Sequence, residues 1–238
     1  MTNFPETLPL RTLREVLPDI FFVTGQMTSG GDAGPMSYSR NMTVVRDGTD
    51  LTILNSVRLD ENGLKTLDAL GTVRAVVRLG FNHGRDDAFY LDRYEARFWS
   101  AASVALERGE EISHELVGGN PGPCRGSTVF AFETTKEPEA ILHLDRHGGV
   151  LVTCDSLQNL TGPNEFFNET AIKIMRQAGF FNPANIGPGW RYKAQPEPPD
   201  FARLQCLPYH HVFSAHGDPC LDHAQELFNA TFTDQMGV

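Results

Sequence analysis

Three short segments of this sequence place imidazole and carboxylate groups directly after an apolar run. They are Val76-Val77-Arg78-Leu79-Gly80-Phe81-Asn82-His83-Gly84-Arg85-Asp86-Asp87, Val150-Leu151-Val152-Thr153-Cys154-Asp155, and Val212-Phe213-Ser214-Ala215-His216-Gly217-Asp218. Runs of this kind read as buried strands, and ligands of αβ proteins gather where such strands end, because loops converge there over one sheet edge. Imidazole nitrogen and carboxylate oxygen together are the donor set of zinc, iron and manganese. His83, Asp87, Asp155 and His216 are therefore the candidate metal ligands. Asp87 or Asp155 is the candidate proton acceptor, and Arg85 is the candidate for binding an anionic substrate group or an oxyanion.

Each of these residues also has a plainer reading. A loop histidine is most often a surface or hydrogen-bonded side chain. An aspartate at a strand end commonly caps the next turn, and Asp86 and Asp87 suit the N-terminus of a following helix. His210 and His211, adjacent on a strand, would face opposite sides and could not chelate one ion. His143 and His147 flank a tight turn and are expected in solvent, and His114 and His223 have no recognisable partner. Tyr90, Tyr94, Phe98 and Trp99 are expected in the core. Other chemistries lack their signatures: no Gly-Lys-Ser/Thr follows the glycines of Ser29–Pro35, no Gly-x-Ser-x-Gly occurs, and no base stands beside Cys154.

The elements that must position these groups are legible in outline. Strands are expected at 19–25, 41–46, 51–55, 73–79, 97–100, 129–134, 140–144, 150–155 and 211–215. Segments 41–46 and 51–55 flank Asp47-Gly48 and read as a hairpin with a four-residue turn. Helices are expected at 59–70 (ending at Gly71), 88–94, 164–179, in a short stretch after the Pro-rich 195–200, and at 221–232. Segment 107–126 reads as loop. Strand-rich halves interleaved with helices imply two sheets packed between helices. No short repeat occurs, and the Pro-rich stretch lies too near the end to divide two domains, so residues 1–238 are expected to form one domain.

Composition narrows the function. Apolar residues at 40% and charged residues at 21% fit a globular chain with a sizeable core. A net charge of -10 disfavours nucleic acid or an anionic membrane as partner. No stretch approaches the ~20 apolar residues of a membrane span. The first residues carry prolines and acids where a secretory signal would carry a basic end and an apolar run, so a cytoplasmic location is expected. Cys124, Cys154, Cys206 and Cys220 form no CxxC pair and are expected as free thiols, mostly buried.

The order of hairpin, helix, strand and His-bearing loop resembles the metallo-β-lactamase superfamily. Its first metal motif, His-x-His-x-Asp-His, lies over His83-Gly84-Arg85-Asp86-Asp87-Ala88. His83 matches the first His and Asp87 the Asp, while Arg85 and Ala88 replace the other two imidazoles. The family's hairpin ending in a ligand Asp resembles His147–Asp155, and its last His resembles His216. The middle ligand His has no match, since Asn120-Pro121-Gly122-Pro123 lacks it. The resemblance implies a four-layer αβ/βα sandwich and a metal-dependent hydrolase with unknown small-molecule substrate. The eroded motif implies one divalent ion, zinc first, with iron or manganese as alternatives. A scaffold or binding protein that keeps the fold without the metal is the competing expectation, and a redox-active iron protein the third.

Overall fold

The computed structural model describes residues 4–30, 34–101, 104, 106 and 109–238. Residues 31–33 of the expected glycine loop and residues 107 and 108 of the 107–126 segment lie outside the described residues. In chain order the elements are β1 (Arg14–Leu17), β2 (Ile20–Ser29), β3 (Met36–Asp47), β4 (Asp50–Leu54), α1 (Glu61–Leu70), β5 (Thr72–Arg78), α2 (Asp87–Tyr94), β6 (Arg97–Ser100) and β7 (His114–Glu115). There follow β8 (Ser127–Ala131), β9 (Ala140–Leu144), β10 (Val150–Val152), β11 (Leu157–Leu160), α3 (Glu169–Gln177), β12 (Asn182–Ile186), α4 (Pro188–Ala194), α5 (Pro198–Gln205), β13 (His211–Phe213) and α6 (Ala224–Met236).

Strands β1 to β7 form one seven-stranded sheet in sequence order, antiparallel up to β4 and parallel from β4 to β7. A second sheet has the order β13-β10-β9-β8, and β11 pairs with β12. The side-chain alternation of the strands builds the layers. Ile20 and Phe22 of β2 face Leu142, Val150, Val152 and Phe213 of the second sheet, making an inter-sheet core. Phe21 and Val23 face the opposite way and pack with Leu67, Phe89 and Tyr90 of α1 and α2. On the far side, Ile141, Leu151 and Val212 pack under Trp190, Phe201, Phe228 and Phe232 of α4, α5 and α6. Helix, sheet, sheet, helix is thus a four-layer sandwich, as expected. Tyr90 is buried as expected, its hydroxyl donating to the Val57 carbonyl at 2.7 Å. No helix among the described residues is long and apolar enough to cross a membrane.

Several boundaries differ from the sequence reading. The β3–β4 turn holds two residues, with Asp47 paired to Asp50 and Gly48 at φ +66°, rather than four. The first hairpin is longer, because the polar stretch Met36–Arg40 continues β3 along β2. The helix expected at 164–179 begins at Glu169, where the Asn168 side chain accepts from the Ala171 N–H and caps it. Helix α5 starts at Pro198 itself, since proline suits a first helical turn. Strands β1, β7 (within the expected loop 107–126), β11 and β12 and helix α4 were not expected. They are short and polar, and tertiary pairing creates them.

Candidate metal centre

The three apolar-run loops meet at one end of the inter-sheet core. His83 follows β5, Asp155 follows β10, and His216 follows β13. The centre of the cluster is the Asp155 carboxylate. Its Oδ1 lies 3.1 Å from His83 Nε2 and 3.1 Å from His216 Nε2. Its Oδ2 accepts from Asn82 Nδ2 at 2.9 Å. The two imidazole rings stand edge to face with centroids 5.0 Å apart.

The backbone around these groups is clamped by buried amides and acids. Strand β3 grips the His216 turn: the Asn41 N–H donates to the Ala215 carbonyl, and Asn41 Nδ2 donates to the carbonyls of Ser214 and Gly217 at 3.0 and 2.6 Å. At the end of β4, Asn55 adopts φ +54° and its Nδ2 donates to the Thr153 carbonyl at 2.8 Å, tying the first sheet to the end of β10. Glu139 accepts from the N–H groups of Ser156 and Asp155 at 2.8 and 3.2 Å. It also bridges to Gly80, where the His83 loop begins. Burial pushes the Glu139 carboxyl up to about 8, with the Asp155 charge adding to the rise.

The tautomer of His216 is set by the chain. Its Nδ1 is 2.9 Å from the Ser39 carbonyl, which can only accept, so Nδ1 carries the hydrogen. In neutral His216 the Nε2 is then a bare acceptor facing a carboxylate oxygen. Such an arrangement is favourable only with a cation, proton or metal, between the atoms. Ligands at ~2.0–2.2 Å from one ion stand about 2.8–3.6 Å apart, depending on coordination geometry, and the two 3.1 Å separations fall in that range. Burial lowers the pKa of His83, which favours its neutral, ligating form. Burial alone would raise the Asp155 carboxyl, but positive charge at the His83 and His216 positions holds it well below the usual range, so it stands ionised and ready for a cation. Imidazole nitrogen and carboxylate oxygen at these two separations are donors of the kind a divalent ion takes.

Cys154 also lies near, its Sγ grouping with ligand atoms of His83 and Asp155 within 4.8 Å of one another. Burial first, then the charges of Asp155 and Glu139, raise its thiol well above the ordinary value. Ligation by Cys154 would require its thiol to lose a proton against those charges. His216 Nε2 approaches the same carboxylate oxygen at 3.1 Å, but the three residues whose ligand atoms all lie within 4.8 Å of one another are His83, Cys154 and Asp155.

Asp87 and Arg85 are placed differently from the ligand and cleft roles expected of them. Asp87 Oδ2 accepts from Arg78 Nε at 2.7 Å and its Oδ1 from Ser56 Oγ at 2.6 Å, so both oxygens are committed beneath the loop. Asp87 is not among the residues lining the cavity. Gly84 has no side chain because the Arg78 guanidinium occupies the place where its Cβ would stand. Burial raises the Asp87 carboxyl to about 6, against the pull of Arg78. Arg85 reaches the cavity wall but pairs with Asp86 Oδ1 and the Glu6 carbonyl, each at 2.7 Å. The expected helix-capping role of Asp86 is absent, since its oxygens accept from Arg40, Arg85 and the Arg58 N–H.

Beside the cluster opens a cavity of about 470 Å³, whose wall includes His83, Asp155, His216, Arg40, Arg85 and Lys193. Arg40, Asn41, Asn82 and Glu139 escaped the sequence reading. For Arg40 and Asn41 the signal was there, since a charged or amide group inside a buried strand is costly unless partnered. His210 is exposed and His211 is buried on β13, its Nδ1 accepting from the Asp222 N–H, so neither reaches the cluster.

No protein-family model matches the chain. Among solved structures, the DIM-1 metallo-β-lactamase exposed to ceftazidime superposes with a TM-score of 0.63 at 15% identity, covering 97% of this chain and 99% of that one. The fold is that of the metallo-β-lactamases. A metallo-β-lactamase from Hirschia baltica gives 0.60 at 13% identity over 94% and 98% of the two chains. The mono-zinc form of FIM-1 from Pseudomonas aeruginosa gives 0.57 at 11% identity over 97% of each. At these identities the likeness is one of fold. The chemistry of this metallo-β-lactamase fold rests on its own residues.

Proposed function

We propose that this chain is a metal-dependent hydrolase whose cleft holds one divalent ion, zinc first and iron or manganese as alternatives, on His83, Asp155 and His216. The observation that carries this reading is the pair of imidazole nitrogens on one carboxylate oxygen, with His216 Nδ1–H already committed to the Ser39 carbonyl. When bound, the ion supplies Lewis acidity that brings a water's pKa toward ~7.

The chain's own residues do the remaining work. Ser39 and Asn41 orient His216, and Asn82 and Glu139 fix Asp155 and the backbone beside it. Such partners set ligand orientation and basicity. Of the two carboxylates expected as proton acceptor, Asp155 lines the cleft, but its Oδ1 faces the two imidazoles and its Oδ2 accepts from Asn82, so it serves as a ligand and not as the base. Asp87 becomes an anchor for Arg78 and Ser56 under the first loop. A cavity of about 470 Å³ suits a small-molecule substrate.

The test is a melting-temperature titration with zinc and manganese. An ion at ~100 Kd that binds only the folded state adds roughly 2.7 kcal/mol. The wild type should melt higher with metal, and His83→Ala or His216→Ala should abolish the rise. His210→Ala, outside the cluster, should keep it. A flat response in the wild type would support a retained fold without the ion.

A further inference from the structure

The polar cluster occupies one stretch of the cavity wall, and much of the remaining lining is apolar. That apolar surface begins beside the cluster itself, where the Tyr38 ring lies near His216 with centroids 6.1 Å apart. Tyr38, Met36 and Phe180 are each partly buried, and all three pack on Leu160, Ala171 and Met175. Ala171 and Met175 are the buried residues of α3, and Met175 also reaches the cavity. A concave apolar surface beside a few convergent polar groups is how small-molecule sites are built. Unbranched methionine side chains let such a wall adapt to its occupant. The charged groups of the lining are already engaged: Arg40 and Arg85 with Asp86, Asp155 with the imidazoles and Asn82, and Lys193 over the Phe81 ring.

One position shows that the shape of this wall is built. Gly189 stands in the first turn of α4, directly after Pro188, and its backbone does not adopt the left-handed conformation that glycine serves. Its missing side chain has a local reason, since a Cβ there would come within 3.2 Å of Phe180 Cζ. Gly189 and Phe180 both line the cavity, so the glycine seats the ring that bounds it.

We propose that this wall is an apolar subsite bounded by Phe180 on Gly189, and that the substrates of the cleft are uncharged compounds carrying a flexible apolar chain beside the hydrolysed bond. The chain lies along Tyr38, Met36 and Met175, and Phe180 limits its length. The substrate class rests on the hydrolase reading, but binding of the chain itself requires no ion.

Methionine-methyl spectra of chelator-treated full-length protein, titrated with 1-butanol, 1-hexanol, 1-octanol and 1-decanol, test the subsite apart from any chemistry. The Met36 and Met175 methyl resonances should move saturably. Affinity should rise about three- to fourfold per added CH₂ up to one chain length and then level off. Phe180→Ala should carry the rise to a longer alcohol. Should Phe180→Ala not fold, Phe180→Leu makes the same comparison with a smaller loss of packing. Unmoved Met36 and Met175 resonances, affinity still rising at 1-decanol in the wild type, or the same levelling length in the wild type and the Phe180 variant would each overturn the assignment. The expected alcohol responses in a protein that takes up no zinc would sink the hydrolase reading and leave the subsite standing. Zinc uptake without those responses would retire the subsite and leave the metal centre.

Discussion

Replacing Asn41 with alanine separates positioning from mere stability. Asn41 Nδ2 donates two hydrogen bonds into the turn that carries His216, at 3.0 Å to Ser214 and 2.6 Å to Gly217. Each buried bond contributes about 0.5–1.5 kcal/mol net, and stranding its acceptor costs further. Asn41→Ala should therefore destabilise the protein by about 2–4 kcal/mol. The backbone bond from Asn41 N–H to Ala215 survives, so the turn loosens without detaching. His216 Nδ1 would then hold its Ser39 partner less firmly, and second partners of metal ligands are worth about 10–100-fold in affinity. Urea denaturation of metal-free protein measures the first effect, and zinc calorimetry measures the second. Unchanged stability would refute the clamp. A stability loss with unchanged zinc affinity would refute the idea that β3 positions His216.

Other perturbations follow from the same geometry. Asp87→Asn weakens one ion pair of the buried Arg78, which also faces Glu110, and should cost about 1–3 kcal/mol. It should spare zinc affinity, and a loss of ion stoichiometry in this variant would return Asp87 to the ligand set. The pKa of His83 is lowered by burial, so its neutral ring contributes stability that is complete above the ordinary value of about 6.5. That stability drains as pH falls through 6.5 toward the folded value. Between pH 7.5 and 5.5 the raised carboxyls of Glu139 and Asp87 contribute the opposite trend, so the His83 part is read by difference: metal-free wild type should lose melting temperature relative to His83→Gln as pH falls. An identical slope would contradict the burial argument.

Much of the fold was legible because long strands alternate. Residues 19–25 and 140–144 carry one apolar set for each side of their sheets, and both appear as strands. The short polar strands β11 and β12 carried no such signal, since their pairing is supplied by neighbours distant in sequence. The same division runs through the site. His83, Asp155 and His216 each directly follow an apolar run, and the sandwich brings their strand ends together. Asp87 was misplaced because sequence spacing does not reveal that Arg78, on the strand before it, turns under Gly84 to claim its carboxylate. Arg40 was overlooked for a related reason. Its partner Asp86 is 46 positions away, and only the packed sheet shows that one carboxylate serves two guanidinium groups.

The central claim is that His83, Asp155 and His216 hold one divalent ion. A crystal of the wild type grown with zinc, with data collected on both sides of the zinc absorption edge, tests it most directly. The account predicts a single anomalous peak between the Nε2 atoms of His83 and His216 and Oδ1 of Asp155, absent in His216→Ala. An empty cluster at saturating zinc, or a peak elsewhere in the chain that survives His216→Ala, would contradict it.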